Sequence, residues 1–325
     1  MTIKNTKDLE KPNSEQNKKY IAKRLDFPEY KRCLDFPKFI EIETIRACNS
    51  RCVFCPVYGT DFNVKPGRMS DELLAKIYKE LKESVIKAST VCVCRDGEPL
   101  LDKRIAGIIK DVKSVGIPSV TMSTNAQLLD KKKSIALLNS GLDELFISID
   151  GFSEEVFKSL RVGLNYNIVV KNTIKFIELR DQINPKLRLR IRMVVVDENK
   201  GEVKPWNIFW KSKCKSSDLV QAKPAHSWGN QLYKENKISV QKMNTKPCIA
   251  PFNMFVIHYN GLVTICGHDY KEKVVVGDLN KNSIREIWQG KKFASIRQKH
   301  LTPGGREKIE FCRGCQIWDR SDVDE

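Results

Sequence analysis

The sequence has no long hydrophobic run. Its first twenty residues lack the apolar stretch of a signal peptide, and no later segment approaches the roughly 18 uncharged apolar residues of a membrane span. It also contains no internal repeat and no low-complexity tract. These absences argue against secretion and against a transmembrane anchor, and we expect a cytoplasmic protein.

Positive charge is not concentrated in one stripe. Lysine and arginine outnumber aspartate and glutamate by 57 to 40, for a net charge of +17, but they are scattered and not interleaved with aromatic residues. The charge favours an anionic partner such as a phosphorylated substrate, a nucleotide or a nucleic acid, and a lysine-rich solvated surface would explain it equally well. We expect a small-molecule substrate, which the charge allows to be anionic, and neither a nucleic acid nor a membrane as partner.

Cysteine, in contrast, is abundant. The chain has 11 cysteines in 325 residues, and an odd number in a cytoplasmic protein argues against a disulfide framework and for metal ligation or thiol chemistry. With 41% hydrophobic residues the chain can fill a substantial core without covalent cross-links. The positions of the cysteines are therefore the first indication of function.

Short β-rich runs alternate with helical stretches from residue 39 to about residue 225. This alternation predicts six β/α units and a parallel sheet, either a partial barrel or an open doubly wound sheet. The working residues of both architectures lie at the carboxyl ends of the strands. We expect three parts: a leader that is loosely ordered or forms a short helix on the main domain (1–38), an α/β domain (39–226) and a small cysteine-rich domain (227–325).

Three cysteines lie on one short loop after the first predicted strand. Cys48, Cys52 and Cys55 are separated by three and then two residues in ACNSRCVFCP, so their thiolates can converge on one metal centre. Zinc takes four ligands and no fourth is nearby, whereas an iron–sulfur cluster tolerates one iron without a protein ligand. This spacing, with aromatic Phe54 before the last cysteine, resembles the signature of the radical S-adenosylmethionine superfamily.

That resemblance implies a fold, cofactors and a chemistry. It implies a partial (β/α)6 TIM-like barrel and a 4Fe-4S cluster whose open iron binds the amino and carboxylate groups of S-adenosylmethionine. One electron from the reduced cluster then splits the cofactor to give a 5′-deoxyadenosyl radical. The resemblance also implies an electron donor such as a flavodoxin or a ferredoxin as a partner.

Further segments resemble the parts of that family that contact the cofactor. RDGEPLL resembles the family's Gly-Gly-Glu segment, although Asp96 replaces the first glycine. Taken singly, the polar residues of these segments are also those of helix caps and turns. Together they follow predicted strands, and the resemblance implies this cofactor-binding set: Phe54, Gly97, Glu98, Ser123, Asn125, Ser148, Asp150 and Arg161.

A second cysteine set lies in the C-terminal part of the chain. A hairpin predicted around Tyr259-Asn260-Gly261 and one helical stretch over 283–301, capped by Ser283 with Glu286, separate its members. Four thiolates complete the shell of a structural zinc or of a fully ligated 4Fe-4S cluster, and composition does not choose between them. The four are Cys248, Cys266, Cys312 and Cys315.

The order of hairpin, helix and Cys-x-x-Cys resembles the SPASM/twitch auxiliary-cluster domain. The full SPASM pattern carries further cysteines after that pair, and none occurs in the ten residues after Cys315. The resemblance therefore implies one auxiliary 4Fe-4S cluster, which has no open iron and serves electron transfer. Structural support of the small domain is the alternative.

Four cysteines have no evident partner, and buried structural thiols are the default interpretation: Cys33, Cys92, Cys94 and Cys214. Cys94 is the exception, because a thiol below the GEPLL loop can deliver a hydrogen atom to a substrate radical. Asp269 is either a proton acceptor near the auxiliary cluster or a turn residue. His226 and Trp228 follow the last predicted strand, where they either meet substrate or are a surface histidine and a packed tryptophan.

The leading functional hypothesis is abstraction of hydrogen from a hydroxyl-bearing small molecule, a carbohydrate or a nucleotide-linked sugar. Loss of a second electron to the auxiliary cluster makes this a dehydrogenation. Peptide maturation by thioether formation or epimerisation is the alternative among enzymes, although a leader of 38 residues is too short for a peptide-recognition domain. A zinc-containing nucleic-acid-binding protein is the alternative from another class.

Overall fold

The computed structural model describes residues 13–57, 65–86, 88–225, 228, 246–315 and 317. Its α-helices are α1 (Ser14–Arg24), α2 (Asp71–Glu83), α3 (Ile105–Ser114), α4 (Lys131–Leu138), α5 (Glu154–Leu160), α6 (Tyr166–Ile183), α7 (Val203–Lys213), α8 (Ala250–Asn253), α9 (Ile284–Trp288) and α10 (Lys291–Leu301). Its strands are β1 (Phe39–Ile42), β2 (Ile45–Arg46), β3 (Arg51–Cys52), β4 (Gly67–Arg68), β5 (Thr90–Cys92), β6 (Ser119–Thr124), β7 (Glu144–Ser148), β8 (Arg161–Val162), β9 (Arg188–Val195), β10 (Leu219–Pro224), β11 (Met254–Ile257), β12 (Leu262–Thr264) and β13 (Val275–Asp278).

Nine of these strands form one sheet, in the order β10-β9-β7-β6-β5-β1-β11-β12-β13. The six strands from β10 to β1 are parallel neighbours, and helices connect them along the chain. Parallel strands joined through helices are the expected product of β/α alternation. The partial six-unit barrel predicted from the sequence is confirmed.

The two faces of the parallel strands differ in chemistry. The face toward the helices is apolar and fully buried, and it belongs to one core with α3: Val91, Met122, Leu145, Ile147, Ile191 and Ile109. Because side chains alternate along a strand, the residues between these point to the inner face. That inner face is polar and includes Cys92, Thr121, Ser123, Arg190 and Arg192. A polar interior is suited to bind a polar molecule.

The C-terminal part continues the same sheet. Strand β11 pairs in parallel with β1, from Phe39 opposite Met254 to Ile42 opposite Ile257, and β12 and β13 follow in antiparallel order. The predicted hairpin is present between β11 and β12, and its turn uses Gly261 at a φ of +88°, which favours glycine. The barrel and the predicted auxiliary unit therefore share backbone hydrogen bonds.

One prediction for this part is wrong. The stretch over 283–301 is two helices, α9 and α10, because the backbone at Gly290 is extended, with φ −69° and ψ 159°, and begins α10. The break lets Phe293 pack on Trp288, with ring centres 4.9 Å apart. The capping box of Ser283 and Glu286 is present at the start of α9.

The described part of the leader is ordered as a helix. Ile21, Leu25 and Cys33 pack in one apolar cluster with Phe252 and Leu301. The side-chain Nδ2 of Asn17 donates to the carbonyl of Leu301 at 2.8 Å. Of the two alternatives for this segment, the structure therefore has the helix, and it lies on the C-terminal part. Within the described residues, the helices are all too short or too polar to cross a bilayer.

Candidate active site

The first cysteine loop follows β1 and β2 and is fastened to the α5–β8 segment. Cys52 on β3 lies opposite Arg161 on β8 in an antiparallel pair, and the Ser50 hydroxyl donates to the carbonyl of Val162 at 3.1 Å. The amide of Cys55 donates to the carbonyl of Cys52 at 3.0 Å, closing a turn between these two cysteines. These backbone and side-chain contacts hold the loop against β8.

The electrostatics of this loop fit a metal centre. Burial, together with nearby Glu98, Cys52 and Cys55, raises the pKa of the Cys48 thiol to about 12. The Arg161 guanidinium lies near Cys52 and Cys48 and 5.6 Å from the ring centre of Phe54. Metal ligation requires deprotonated cysteines, and the crowded, buried thiols of this loop resist deprotonation. A positively charged metal cluster would provide the charge that stabilises their thiolates.

Gly97 brings the end of β5 against the cysteine loop. The amide of the next residue, Glu98, donates to the carbonyl of Ala47 at 2.8 Å. A Cβ atom on Gly97 would lie 2.5 Å from the Ile45 carbonyl oxygen and 2.7 Å from that of Ala47. Only glycine permits this backbone approach.

The Glu98 carboxylate ties the ends of two strands together. It is 2% exposed and accepts from the Thr124 hydroxyl at 2.7 Å and from the amides of Asn125 at 2.8 Å and Leu100 at 3.1 Å. The Asn125 side chain in turn donates to the Asn49 side chain, on the cysteine loop, at 2.7 Å. Glu98 is thus a positioning group beneath the loop, and its direct contact with the cofactor stays a prediction.

Asp150 orients Arg161. Asp150 is fully buried, forms an ion pair with Arg161 Nε and accepts from the amide of Val194 at 2.6 Å. Ser148, two residues earlier, lies opposite Arg192 in the register of β7 and β9. Glu98, Asn125 and Arg161 thus contact the cysteine loop or the residue before it, whereas Ser123 and Ser148 lie beside Arg192. Contact with the cofactor stays a prediction for each.

A thiol and a guanidinium share Ser123 on the inner face of the barrel. The Ser123 amide donates to Cys94 Sγ at 3.0 Å, and Arg192 Nη2 donates to the Ser123 hydroxyl at 3.1 Å. Cys92 Sγ lies 3.3 Å from Cys94 Sγ, and this contact lowers the pKa of Cys94 although burial opposes it. Arg192 escaped the sequence analysis, but the period-two arginines of LRLRIRM were a usable signal, because they put charge on one face of a central strand.

The second cysteine set also converges. Burial raises the pKa of the Cys266 thiol, and nearby Cys248, Cys315 and Cys312 raise it further. Among the cysteines of the described segments, no three sulfur atoms lie within 4.8 Å of one another. Tetrahedral zinc with bonds of about 2.3 Å would need sulfurs roughly 3.8 Å apart. The arrangement therefore does not have the sulfur spacing of a preformed zinc site.

The remaining candidates lie near the second set. Asp269 is fully buried, and its two carboxylate oxygens accept from the amides of Lys273 at 2.8 Å and Val274 at 2.7 Å. These are the hydrogen bonds of a turn residue, and a proton-acceptor role stays a prediction. The Trp228 ring packs edge-on against His268, with centres 5.2 Å apart, whereas His226 lies outside the described residues.

A further buried cluster lies beside both sites. Glu43, Asp96 and His258 have ligand atoms within 4.8 Å of one another. Arg46 Nε and Nη2 donate to Glu43 at 2.7 and 2.8 Å, and Nη2 lies 2.7 Å from His258 Nδ1. The guanidinium already provides the cation for Glu43, so this cluster is an ion-pair network between β2 and the C-terminal part.

The chain matches known families and proteins over most of its length. Residues 42–204 match the model of the radical SAM superfamily, and residues 248–316 match an iron-sulfur cluster-binding domain, SPASM. The S-adenosyl-L-methionine-dependent 2-deoxy-scyllo-inosamine dehydrogenase of Niallia circulans is 24% identical over 85% of this chain and 91% of its own length. The GTP 3′,8-cyclase of Limosilactobacillus fermentum is 32% identical, but over 44% of this chain and 42% of that protein.

Solved structures show the same fold. The structure of BtrN in complex with AdoMet and 2-DOIA superposes with a TM-score of 0.59 at 21% identity, covering 86% of this chain and 93% of that one. Streptococcus suis SuiB bound to the precursor peptide SuiA gives 0.64 at 16% identity, covering 100% and 81%. The chain therefore belongs to the radical SAM superfamily, as an enzyme with a 4Fe-4S cluster, S-adenosylmethionine and a C-terminal auxiliary iron–sulfur domain.

Proposed function

We propose that this enzyme dehydrogenates a ring alcohol of a polar small molecule, such as an aminocyclitol or a sugar. The observation that carries the proposal is the polar inner face at the carboxyl ends of β5, β6 and β9, where Cys94, Ser123 and Arg192 lie together. The likeness to a cyclitol dehydrogenase over 91% of that protein's length supports it. Likeness to GTP 3′,8-cyclases is less complete and spans 42% to 63% of those proteins.

The electron balance assigns a task to each site. When bound, the first cluster and S-adenosylmethionine supply a 5′-deoxyadenosyl radical. Transfer of a hydrogen atom from the hydroxyl-bearing carbon forms 5′-deoxyadenosine, and the substrate then loses the hydroxyl proton and one electron to become a ketone. Arg192 donates to a substrate oxygen, and a guanidinium at this place also suits an anionic substituent. The second cysteine set holds the electron acceptor.

The second cysteine set suits electron transfer because its four thiols leave no position for substrate. Cys266 and Cys312 are 8% exposed. Burial raises the pKa of Cys312, and the buried Arg306 guanidinium lies close enough to offset part of this increase. A buried cluster with complete thiolate ligation exchanges electrons without changing its ligands. Structural support of the C-terminal part remains the competing role.

The test is an anaerobic assay of the reconstituted enzyme with dithionite and S-adenosylmethionine, using 2-deoxy-scyllo-inosamine and GTP as probes. We expect 5′-deoxyadenosine and a ketone in equal amounts from the cyclitol. The variant C312A/C315A should still form 5′-deoxyadenosine but no ketone, whereas C48A/C52A/C55A should form neither. Ketone formation by C312A/C315A would rule out electron transfer through the second site.

Epimerisation is a second candidate, because the Cys94 thiol lies in the barrel interior and can return a hydrogen atom to a substrate radical. The same assay in D2O separates the two reactions. A dehydrogenation leaves no deuterium on the reacting carbon and a product two electrons more oxidised. An epimerisation gives a product of unchanged oxidation state with one deuterium, and this deuterium is lost in Cys94→Ala. SuiB shares the fold, so its precursor peptide SuiA is a further probe.

A further inference from the structure

Arg95 connects the barrel to the loop of the second cysteine set. Its side chain is 3% exposed, and its Nη1 pairs with Glu41 of β1 at 2.9 Å. The same atom donates to the carbonyl of Gly267, the residue after Cys266. Its Nε lies 3.3 Å from Asp96. A buried cation of the barrel thus contacts the backbone directly beside a cluster ligand.

The Cys266 loop is seated closely on this ion pair. A Cβ atom on Gly267 would lie 2.7 Å from Glu41 Oε2 and 3.1 Å from Arg95 Nη1. Glycine therefore lets the loop lie directly on this ion pair, and a side chain at this position would have to displace the ends of the Glu41 and Arg95 side chains. Arg95 and Gly267 together fix the distance between the end of β5 and the second cysteine set.

The charge on Arg95 acts on that set. Burial weakens solvent screening, and the guanidinium lies near enough to Cys266 for each to affect the charge of the other. Arg95 Nη2 has no hydrogen-bond partner among the described residues, so one donor of the fork remains for a cluster sulfur. A nearby positive charge and N–H donors stabilise the reduced, more negative form of an iron–sulfur cluster.

We propose that Arg95 is a positioning residue that raises the reduction potential of the auxiliary cluster and thereby makes it an electron acceptor. The inference deepens the proposed function, in which this cluster takes the second electron. It does not depend on the identity of the substrate. Asp96 and Glu41 hold the guanidinium in place, and Asp96 is the residue that departs from the Gly-Gly-Glu pattern.

The test measures the potential itself. In the full-length C48A/C52A/C55A background the auxiliary cluster is the one that titrates, and its midpoint is followed by EPR in an anaerobic redox titration. Arg95→Gln removes the charge but keeps a donor for the Gly267 carbonyl, and we expect a more negative midpoint with full iron content. Arg95→Lys keeps the charge and should restore most of the shift. Arg180→Lys, at another buried arginine on α6, is the control and should leave the midpoint unchanged, whatever it costs in stability.

Each outcome decides the matter. An unchanged midpoint in Arg95→Gln overturns the proposal, and so does a shift of the same size in Arg180→Lys. Loss of iron in both Arg95 variants would show a structural role and overturn the assignment to the potential. A shifted midpoint in an enzyme that oxidises neither probe leaves the role of Arg95 intact and contradicts the proposed substrate class, so the two failures are distinguishable.

Discussion

Replacing Gly97 by alanine is the sharpest test of the first site. The new Cβ atom would lie 2.5 Å from the Ile45 carbonyl oxygen, about 0.9 Å inside the 3.4 Å at which ordinary contact begins. The opposing atoms are backbone and not a flexible side chain, so the segment that precedes Cys48 must move. A displacement of roughly 1 Å in a reacting geometry costs about 10²-fold in rate.

The energetic cost has a second part. The shift also breaks the hydrogen bond from the Glu98 amide to the Ala47 carbonyl, 2.8 Å long, which contributes about 0.5–1.5 kcal/mol to stability. We therefore expect Gly97→Ala to lower the rate of 5′-deoxyadenosine formation about 10²-fold while the free energy of unfolding falls by roughly 1–3 kcal/mol. The rate is measured anaerobically with dithionite, and stability by denaturant titration.

Gly107 provides the matched control. It lies in α3, and a Cβ atom there would meet nothing within 4 Å. Gly107→Ala should therefore leave the rate unchanged and stabilise the protein by about 0.4–1 kcal/mol. Cleavage of S-adenosylmethionine by Gly97→Ala at a rate within about twofold of the parent would refute the packing argument, since the loop could then yield without consequence.

Two further predictions concern stability, both measured by urea titration. Asp218→Ala removes the buried carboxylate that binds both terminal nitrogens of Arg180 and leaves the guanidinium only the half-exposed Asp181 as an ion-pair partner. The loss should lie toward the lower end of about 3–5 kcal/mol. Glu178→Ala, in an exposed pair, should change stability by less than about 1 kcal/mol, and equal losses would contradict the reasoning. Glu98→Gln puts a side-chain amide where three donors converge, and the free energy of unfolding should fall by about 1–3 kcal/mol. Glu155→Gln, at an exposed glutamate, is its control. An unchanged stability of Glu98→Gln would show that the carboxylate is not needed.

The sequence predicts the barrel well because its signals are local. Alternating apolar and polar residues mark the strands, and the apolar face of each helix marks its contact with the sheet. The cysteine spacings are equally local, and a reader of the sequence can place Cys48, Cys52 and Cys55 on one loop. The break between α9 and α10 was missed, because a glycine inside a helical pattern is often tolerated and tertiary packing decides.

What the sequence does not reveal depends on contacts between distant segments. The pairing of β1 with β11 joins residues such as Phe39 and Met254, and no local pattern announces it. The same is true of Arg95, whose neighbours in sequence are a cysteine and an aspartate but whose carbonyl partner is Gly267. Arg192 is different, because its alternation with apolar residues was visible and only its partner Ser123 was not.

The continuous sheet has a consequence for folding during synthesis. Strand β1 is made early, but β11, the strand that covers its free edge, follows only after Met254 has been added. At about 5–20 residues per second, the intervening chain takes roughly 10–40 s to emerge. The N-terminal helix waits longer still, because its Asn17 bonds to Leu301, 284 residues away. During this interval the nascent chain exposes an unpaired edge strand. Chaperones that shield this edge during synthesis would therefore favour a high yield of folded enzyme.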